Sequence, residues 1–409
     1  MISQPRHDPV RLGIIGLGPR GATLAATLLE MPETARIAAI CDCDAERLEA
    51  MKRRLAERGV AAKPYSDSAE LLTSPEVDAV LVPTSWNAHL PLAVAAVRAG
   101  KPVATEVGGA TGCEELWELV RQAENNHANA MMLENCCYGR QELLVLNMVR
   151  QGLFGEILHC ECGYCHHITP EMVGSDGPVT ERGWHNCRRN GDLYPTHGIG
   201  PIAKILDINR GNRFVTLSSV SSKARSMELA TGGKCRFNCG DVTTTVLKCA
   251  NGETVTMIHS VAPPRPYSRR GLVQGTRGVW SEECKGIFVE GMSVSKELLD
   301  VAGNPYIEHV WDPVEKFYDK FDHPVWRDFR DNPTGGHGGM DTLALRAFCA
   351  AVAGECEYPI DVYDTAVWMS LTALSEQSVA LGGTPVPVPD FTCGKWVTRG
   401  PAKPGYWSL

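Results

Sequence analysis

Three glycines, Gly16, Gly18 and Gly21, stand at the spacing G-x-G-x-x-G, and Asp42 follows 21 residues after the last of them. Glycines so placed allow a tight turn, a close approach of backbone to a pyrophosphate and close packing of a helix on a strand. An acid at that distance suits a ribose hydroxyl, so the chemistry is dinucleotide binding, with NAD favoured over NADP. A second set of residues has side chains that move protons: His197, Tyr194 three residues before it, Tyr138, Glu106, and His337 inside the glycine-lined stretch GGHGGMD. A third set, His159-Cys-Glu-Cys-Gly-Tyr-Cys-His-His167, has the residue types of metal ligands. Alternation on a strand gives Cys160 and Cys162 one face, and no second C-x₂₋₄-C knuckle follows. The expectation is therefore buried thiols and no metal.

The elements that must position these groups show a change of rhythm along the chain. Leu12–Ile15 reads as a buried parallel strand that enters the glycine turn, and Ala22–Glu30 as the helix after it. Arg36–Cys41, Ala79–Pro83, Pro102–Glu106 and Ala130–Leu133 read as further strands. Ala45–Arg58, a short turn at Ala69–Leu72, His89–Ala99 and Glu114–His127 read as helices between them. Alternation of this kind implies a doubly wound parallel sheet with its ligand crevice past the strand ends. Those ends carry Gly16–Gly21, Asp42, Pro83–His89, Glu106–Gly109 and Glu134–Tyr138.

Beyond about residue 155 strands dominate: Ile157–Tyr164, Arg213–Ser221, Val242–Cys249, Thr254–Ser260, Arg270–Gln274 and Gly286–Glu290. Turns such as Asn251-Gly252 separate several of them, which predicts a large, open, mainly antiparallel sheet. Helices are expected at Gly339–Ala353 and Val362–Leu381. The division is an α/β Rossmann domain over 1–136 and an α+β substrate-binding and oligomerisation domain over 137–409, with the helix near 362–381 packing back on the first.

The 409 residues carry a net charge of −8 and 16 cysteines. No basic block points to nucleic acid or an anionic membrane, and no stretch is apolar enough to span a bilayer. MISQPRHDPV has no apolar signal region, so the expected location is a reducing cytoplasm with free thiols.

The order of a nucleotide half and then an open sheet resembles the Gfo/Idh/MocA oxidoreductase family. The motifs that carry the likeness are GLGPRG, Pro83-Thr-Ser-Trp-Asn-Ala-His89, AGKPVATE and the segment around His197. The resemblance implies that Pro19, Arg20, Asn87 and His89 join Gly16, Gly18, Gly21, Asp42 and Glu106 in holding NAD, and that the subunits form a homo-oligomer. In that family a Glu-Lys-Pro lysine and an Asp-x-x-x-His histidine serve the oxidised carbon. Here Val107 follows Glu106, and Leu193 stands four residues before His197, with Asp192 shifted by one. Valine transfers no proton, so another base is needed.

Three longer strings are more specific. Arg189-Asn-Gly-Asp-Leu-Tyr-Pro-Thr-His-Gly-Ile-Gly-Pro201, Gly335-Gly-His-Gly-Gly-Met-Asp341 and Glu134-Asn-Cys-Cys-Tyr-Gly-Arg140 resemble glycoside hydrolase family 109, NAD-dependent glycosidases with α-N-acetylgalactosaminidase activity. The resemblance implies transient oxidation of the sugar at C3, abstraction of the acidified C2 proton, elimination of the C1 aglycone, addition of water and re-reduction. His197 is the expected base for the C3 hydroxyl. Tyr138 is the expected base at C2, with Arg140 or His197 as the cation that would lower its pKa. Tyr194 either holds a sugar hydroxyl or acts as the acid. Glu106 contacts the nicotinamide ribose or helps activate water, and His337 donates to a sugar hydroxyl. Gly336 and Gly338 let backbone approach the ligand. Trp184 and Trp86 present faces that either stack on sugar or fill a core. The alternatives are a sugar or inositol dehydrogenase, with Tyr194 or His197 in place of the lysine, and a nucleotide-sensing protein with a degenerate site.

Overall fold

Short apolar runs bounded by helices build the first sheet: Val10–Ile15 (β1), Ala35–Cys41 (β2), Lys63–Tyr65 (β3), Ala79–Val82 (β4), Val103–Thr105 (β5) and Ala130–Met132 (β6). The strands run parallel in the order β3-β2-β1-β4-β5-β6. Every residue of β4 is buried, as a strand covered by helices on both faces requires. The order reverses between β1 and β4, so the crevice past their C-terminal ends is the place for a ligand. The computed structural model describes residues 8–108, 110–174 and 177–409, so Gly109, the last residue of the expected Glu106–Gly109 rim, lies outside the described residues.

Two corrections follow in this sheet. The helix after the glycine turn (α1) is Pro19–Leu29 and not Ala22–Glu30, because Gly18 caps it and Pro19 fits a first position whose N–H is unused anyway. The helix after β4 begins at Trp86 and not at His89, so Asn87 is a helical residue.

The chain forms two compact units. The first takes the described residues up to Tyr138 together with Pro324–Ala373 and Pro389–Leu409; the second takes Gly139–His323 and Leu374–Val388. This is finer than a single boundary at 136/137. In the first unit Thr365 ties a late helix, Val362–Ala380, to β6: Met132 N donates to its Oγ1 (3.1 Å), which donates to Ala130 O (3.1 Å).

The second unit is built on a nine-stranded sheet. The spatial order of its strands is Asp312–Pro313, Gly286–Val289, Gly278–Ser281, Leu272–Gly275, Ile157–Cys165 (β7), Thr254–Ser260, Thr243–Cys249, Phe214–Ser221 and Val386–Pro387. β7 pairs in parallel with Thr254–Ser260, and the other pairings are antiparallel. The two-residue edge strands are too short to leave an alternation in the sequence. The helix Thr196–Ile205 lies on β7 through two glycines. A Cβ on Gly198 would stand 2.6 Å from Gly163 N, so only glycine permits this approach. Among the described residues no helix is long and apolar enough to cross a membrane.

Candidate functional site

In the first unit the glycine turn is shaped by what its glycines touch. Gly16 has φ +102°, and a Cβ there would meet Thr84 Cγ2 at 2.7 Å; a Cβ on Gly21 would fall 2.0 Å from Gly16 O. Asp42 braces the turn, its carboxylate accepting from Leu17 N (2.7 Å) and Asp44 N (2.9 Å). Each oxygen keeps a second lone pair for a ribose hydroxyl. No side chain caps α1, so its first N–H groups remain available to an anion. These features fit a dinucleotide. Asn87 is exposed on the first turn of its helix. His89 is turned inward and buried, with its ring nitrogens 3.0 Å from Thr84 O and 3.2 Å from Gly108 O. It ties the loops after β4 and β5 together, a positioning place and not the direct cofactor contact expected. Trp86 packs over Gly108, where a Cβ would stand 2.9 Å from its ring.

An ion network surrounds Arg20. Its Nε donates to Glu106 Oε1 (2.7 Å), and Nη1 and Nη2 donate to Asp341 Oδ2 and Oδ1 (2.7 and 3.0 Å). Asn135 Nδ2 donates to Asp341 Oδ1 (2.7 Å), and His337 Nδ1 stands 3.0 Å from Oδ2. Burial raises the Asp341 carboxyl, but the hydrogen bonds from His337 and Arg20 outweigh it and hold the group well below the usual carboxylate range. The same bond to Asp341 raises the His337 imidazole, whose side chain is half exposed. Gly336 makes its close approach to Asp341, where a Cβ would lie 2.3 Å from Oδ2, and not to the ligand that was expected there. Val107 is buried, and the cation beside Glu106 comes from the glycine turn instead. Asp341 and Asn135 went unassigned in the sequence; the short string around His337 contains one of them but gives no sign that its partner is Arg20.

The second unit gathers aromatic rings. Tyr194 and His197 meet edge to face with centroids 4.9 Å apart, and Tyr164, near the end of β7, lies 4.7 Å from Tyr194 and 5.6 Å from His197. Arg182, on the helix Glu181–Arg188, sets its guanidinium 4.1 Å over the Tyr194 ring and donates from Nη1 to Tyr164 Oη (3.4 Å). Burial lowers the Arg182 pKa, but Tyr194 and Tyr164 outweigh it, so the net shift is upward and the guanidinium stays charged. Beyond Tyr164 come His166, whose Nδ1 is 3.0 Å from Tyr164 Oη, and Tyr267, 5.0 Å from the His166 ring. The local cause is visible: the Gly198–Gly163 approach sets His197, one residue earlier, over the strand end that bears Tyr164. Behind the cluster Asp192 Oδ1 accepts from Tyr194 N (3.1 Å), and Ser375 Oγ accepts from Asp192 N (2.7 Å). Cys160 and Cys162 share the buried face as alternation predicts, and burial pushes both thiols well above their ordinary pKa.

Two expected members stand elsewhere. Tyr138 closes a turn of 3-10 helix, Asn135–Tyr138, and is 0 % exposed. Its hydroxyl donates to Trp407 O (3.2 Å) and its carbonyl accepts from Trp326 Nε1 (2.8 Å). Burial pushes its pKa well above 10, and Arg140 is spent on Asp322 in the other unit (2.7 Å), so Tyr138 is a core residue and not a base. Trp184 is 48 % exposed with Arg188 over its ring. It lies two helical positions from Arg182, hence on another side of that helix from the aromatic cluster. The sequence reading missed Tyr164, Arg182, His166 and Tyr267. Tyr164 lies inside the cysteine–histidine stretch, where the thiols and imidazoles draw the reading toward metal and core.

Comparison with known proteins agrees with both halves. The family model for the oxidoreductase family with an NAD-binding Rossmann fold matches residues 10–133, and that for the glycosyl hydrolase 109 C-terminal domain matches residues 138–398. An alpha-N-acetylgalactosaminidase of Tannerella forsythia is 38 % identical over 427 aligned positions, covering 96 % of this chain and 88 % of the relative. A glycosyl hydrolase family 109 protein of Parabacteroides distasonis is 37 % identical over 428, covering 96 % and 89 %. Among solved structures, levoglucosan dehydrogenase in complex with NADH and levoglucosan superposes with a TM-score of 0.68 at 20 % identity, covering 94 % of this chain and all of that one. A myo-inositol 2-dehydrogenase from Lactobacillus plantarum gives 0.64 at 17 %, covering 93 % and 100 %. The fold is thus that of the NAD-binding oxidoreductases, and the length and level of identity to the hydrolases place the chain within glycosyl hydrolase family 109, as an enzyme of that fold.

Proposed function

We propose that this enzyme is an NAD-dependent glycosidase that cleaves its substrate through transient oxidation at C3. The observation that carries the reading is the aromatic cluster of the second unit, in which two phenols and an imidazole meet one guanidinium. Cleavage by two carboxylates needs facing acids at a fixed separation; proton abstraction next to a ketone needs a phenol or imidazole beside a cation. Bound NAD supplies a reversible acceptor for the C3 hydride. The first unit holds the cofactor: the turn at Gly16, Gly18, Pro19 and Gly21 and the start of α1 take the pyrophosphate, Asp42 the adenosine ribose, and Asn87 and Glu106 the remaining edge. Arg20 orients Glu106 through its 2.7 Å bond, and His337, held as a donor by Asp341, offers its remaining N–H.

His197 takes the C3 hydroxyl proton, which makes that carbon a ketone once its hydride is gone. The ketone acidifies C2–H, and Tyr164 takes up this proton as it gives up its own, with Arg182 stabilising the partial negative charge that its oxygen carries during the exchange. The electron pair enters the C1–C2 bond as the bond from C1 to the aglycone breaks. Tyr194, stacked under Arg182, protonates the leaving oxygen. Water adds at C1 and gives its second proton back to Tyr194, Tyr164 returns a proton to C2, and His197 returns one to the C3 oxygen as the hydride comes back. Nothing is oxidised over a full cycle.

Aryl α-N-acetylgalactosaminides, after the activity named for the Tannerella relative, are the first probes, within a panel of aryl glycosides in deuterated water. Aglycone release, no net NADH and deuterium at C2 of the product are expected. NADH accumulating with the glycosidic bond intact would establish a dehydrogenase instead, and NAD binding with no turnover of any sugar a nucleotide-binding protein.

A further inference from the structure

We infer that His166 is the positioning residue through which Tyr164 trades the sugar's C2 proton with water, so that the two side chains act as one relay; this rests on the glycosidase reading above. Tyr164 is buried whereas His166 is partly exposed, and Tyr164 Oη is 3.0 Å from His166 Nδ1. His166 directly follows β7 and stays tied to the sheet by its N–H, which donates to Ser260 O (2.9 Å), so the two side chains, two residues apart, meet on one side. The imidazole is held edge to face between Tyr164 (5.7 Å, 81°) and Tyr267 (5.0 Å, 76°), so its orientation is fixed from both sides. The groups that face it are Tyr164, Tyr267, Glu171, Arg182, His167 and His197. Burial lowers its pKa below 6.5, and of the charged neighbours only Glu171 opposes this. A neutral ring carries one N–H, and with that proton on Nε2, Nδ1 is the acceptor for the phenol.

The step balances. The C2–H bond breaks and its proton bonds to the Tyr164 oxygen while the phenol's own proton passes to His166 Nδ1. The C–H electron pair enters the C1–C2 bond and the C1–O bond breaks. The imidazolium so formed releases a proton to water, and after water has added at C1 the sequence runs backwards to deliver a solvent proton to C2. The relay spares the buried site a free phenolate, and it gives the C2 proton an exit that Tyr164, being buried, lacks.

Two measurements test this on the full-length protein. Nitrogen NMR of histidine-labelled protein at neutral pH should show His166 as the Nε2–H tautomer with a hydrogen-bonded Nδ1, and that bond should vanish in Tyr164→Phe. An Nδ1–H tautomer would overturn the relay, since the ring would then donate to the phenol and have no room for its proton. His166→Asn places an amide near the Nδ1 position but takes up no proton at neutral pH, and His166→Phe removes the polar group as well. Both should lower aglycone release and deuterium wash-in at C2 by about 10²-fold, a general-base effect, while the NADH absorbance that reports C3 oxidation persists. The acidic limb of the pH–rate profile should also flatten. Wild-type wash-in and pH profile in His166→Asn would leave His166 a structural ring and sink the relay alone. No aglycone release by the wild type would overturn the glycosidase reading and the relay with it.

Discussion

The two units solve opposite electrostatic problems. Around Arg20 the first unit packs a guanidinium, two carboxylates and an imidazole within direct hydrogen-bond reach, every contact charge-assisted. Around Arg182 the second unit has one guanidinium facing the rings of Tyr194 and Tyr164, with Tyr164 leading on to His166. A network of matched charges is stiff and holds each member in one protonation state, which suits a group that must bind and orient a charged cofactor. A cation beside phenols lowers the cost of negative charge on their oxygens, and a phenol so placed can release and regain a proton. The same residue type, arginine, thus serves to fix protonation in one place and to permit its change in the other. The tyrosines repeat the contrast. Tyr138 is sealed against a backbone carbonyl with its pKa forced up, and Tyr164 touches both a cation and an imidazole.

The largest break in that contrast comes from exchanging the two phenols for Phe. Tyr164→Phe should cost about 10³ in turnover, the scale of a lost general base, with C3 oxidation retained. Single-turnover NADH absorbance beside aglycone release separates the two steps. Tyr138→Phe should leave both rates at wild-type values and cost only about 1 kcal/mol of stability, the worth of its bond to Trp407 O. Equal loss of turnover in both variants would erase the distinction between the units.

Next is the first unit's own anchor. Asp341→Ala leaves Arg20 facing Glu106 alone and strips His337 and Asn135 of their acceptor. Removal of one partner from a buried pair costs about 3–5 kcal/mol, read as a fall in denaturation midpoint, and NAD affinity should fall with it. The pH dependence has a definite sign. The Asp341 carboxyl is depressed, so its contribution is present above its ordinary pKa and fades as pH falls toward the folded value. The His337 imidazole is raised, so its contribution is full below about 6.5 and fades as pH climbs through the raised value. Asp341→Ala should flatten both edges of the stability–pH curve; an unchanged alkaline edge would show that His337 does not depend on the carboxylate.

What could be read in the sequence was what neighbours along the chain decide. The glycine turn, Asp42 and the Tyr194–His197 pair are local patterns, and the parallel and open sheets follow from apolar runs and turns. What escaped depends on pairing at a distance. Tyr164 becomes a neighbour of His197 only when the Thr196–Ile205 helix docks on β7 through Gly198, and Arg182 rides an eight-residue helix too short for a periodic signal. Arg20 and Asp341 are 321 residues apart. Tyr138 was misplaced for the converse reason: it follows a strand end, but the chain there coils into one tight turn and carries the ring into the core.

The smallest expected effect lies behind the aromatic cluster, at Asp192. Its carboxyl is 1 % exposed, with no cation among the groups that set its pKa, and burial pushes it up to about 7 against the single backbone bond from Tyr194 N. The folded protein therefore keeps a proton that the unfolded chain releases above about 4, and stability falls as pH rises from there to about 7. Asp192→Asn keeps an oxygen for Tyr194 N but cannot ionise. It should match the wild type at about pH 4 and be the more stable of the two at pH 8, read as a higher Tm. The sign distinguishes it from Asp341, whose carboxylate stabilises the fold by being charged. A loss of stability at pH 8 in Asp192→Asn would mean that its charge is matched as well as that of Asp341, and the second unit would then hold a paired carboxylate behind its phenols, like the network around Arg20.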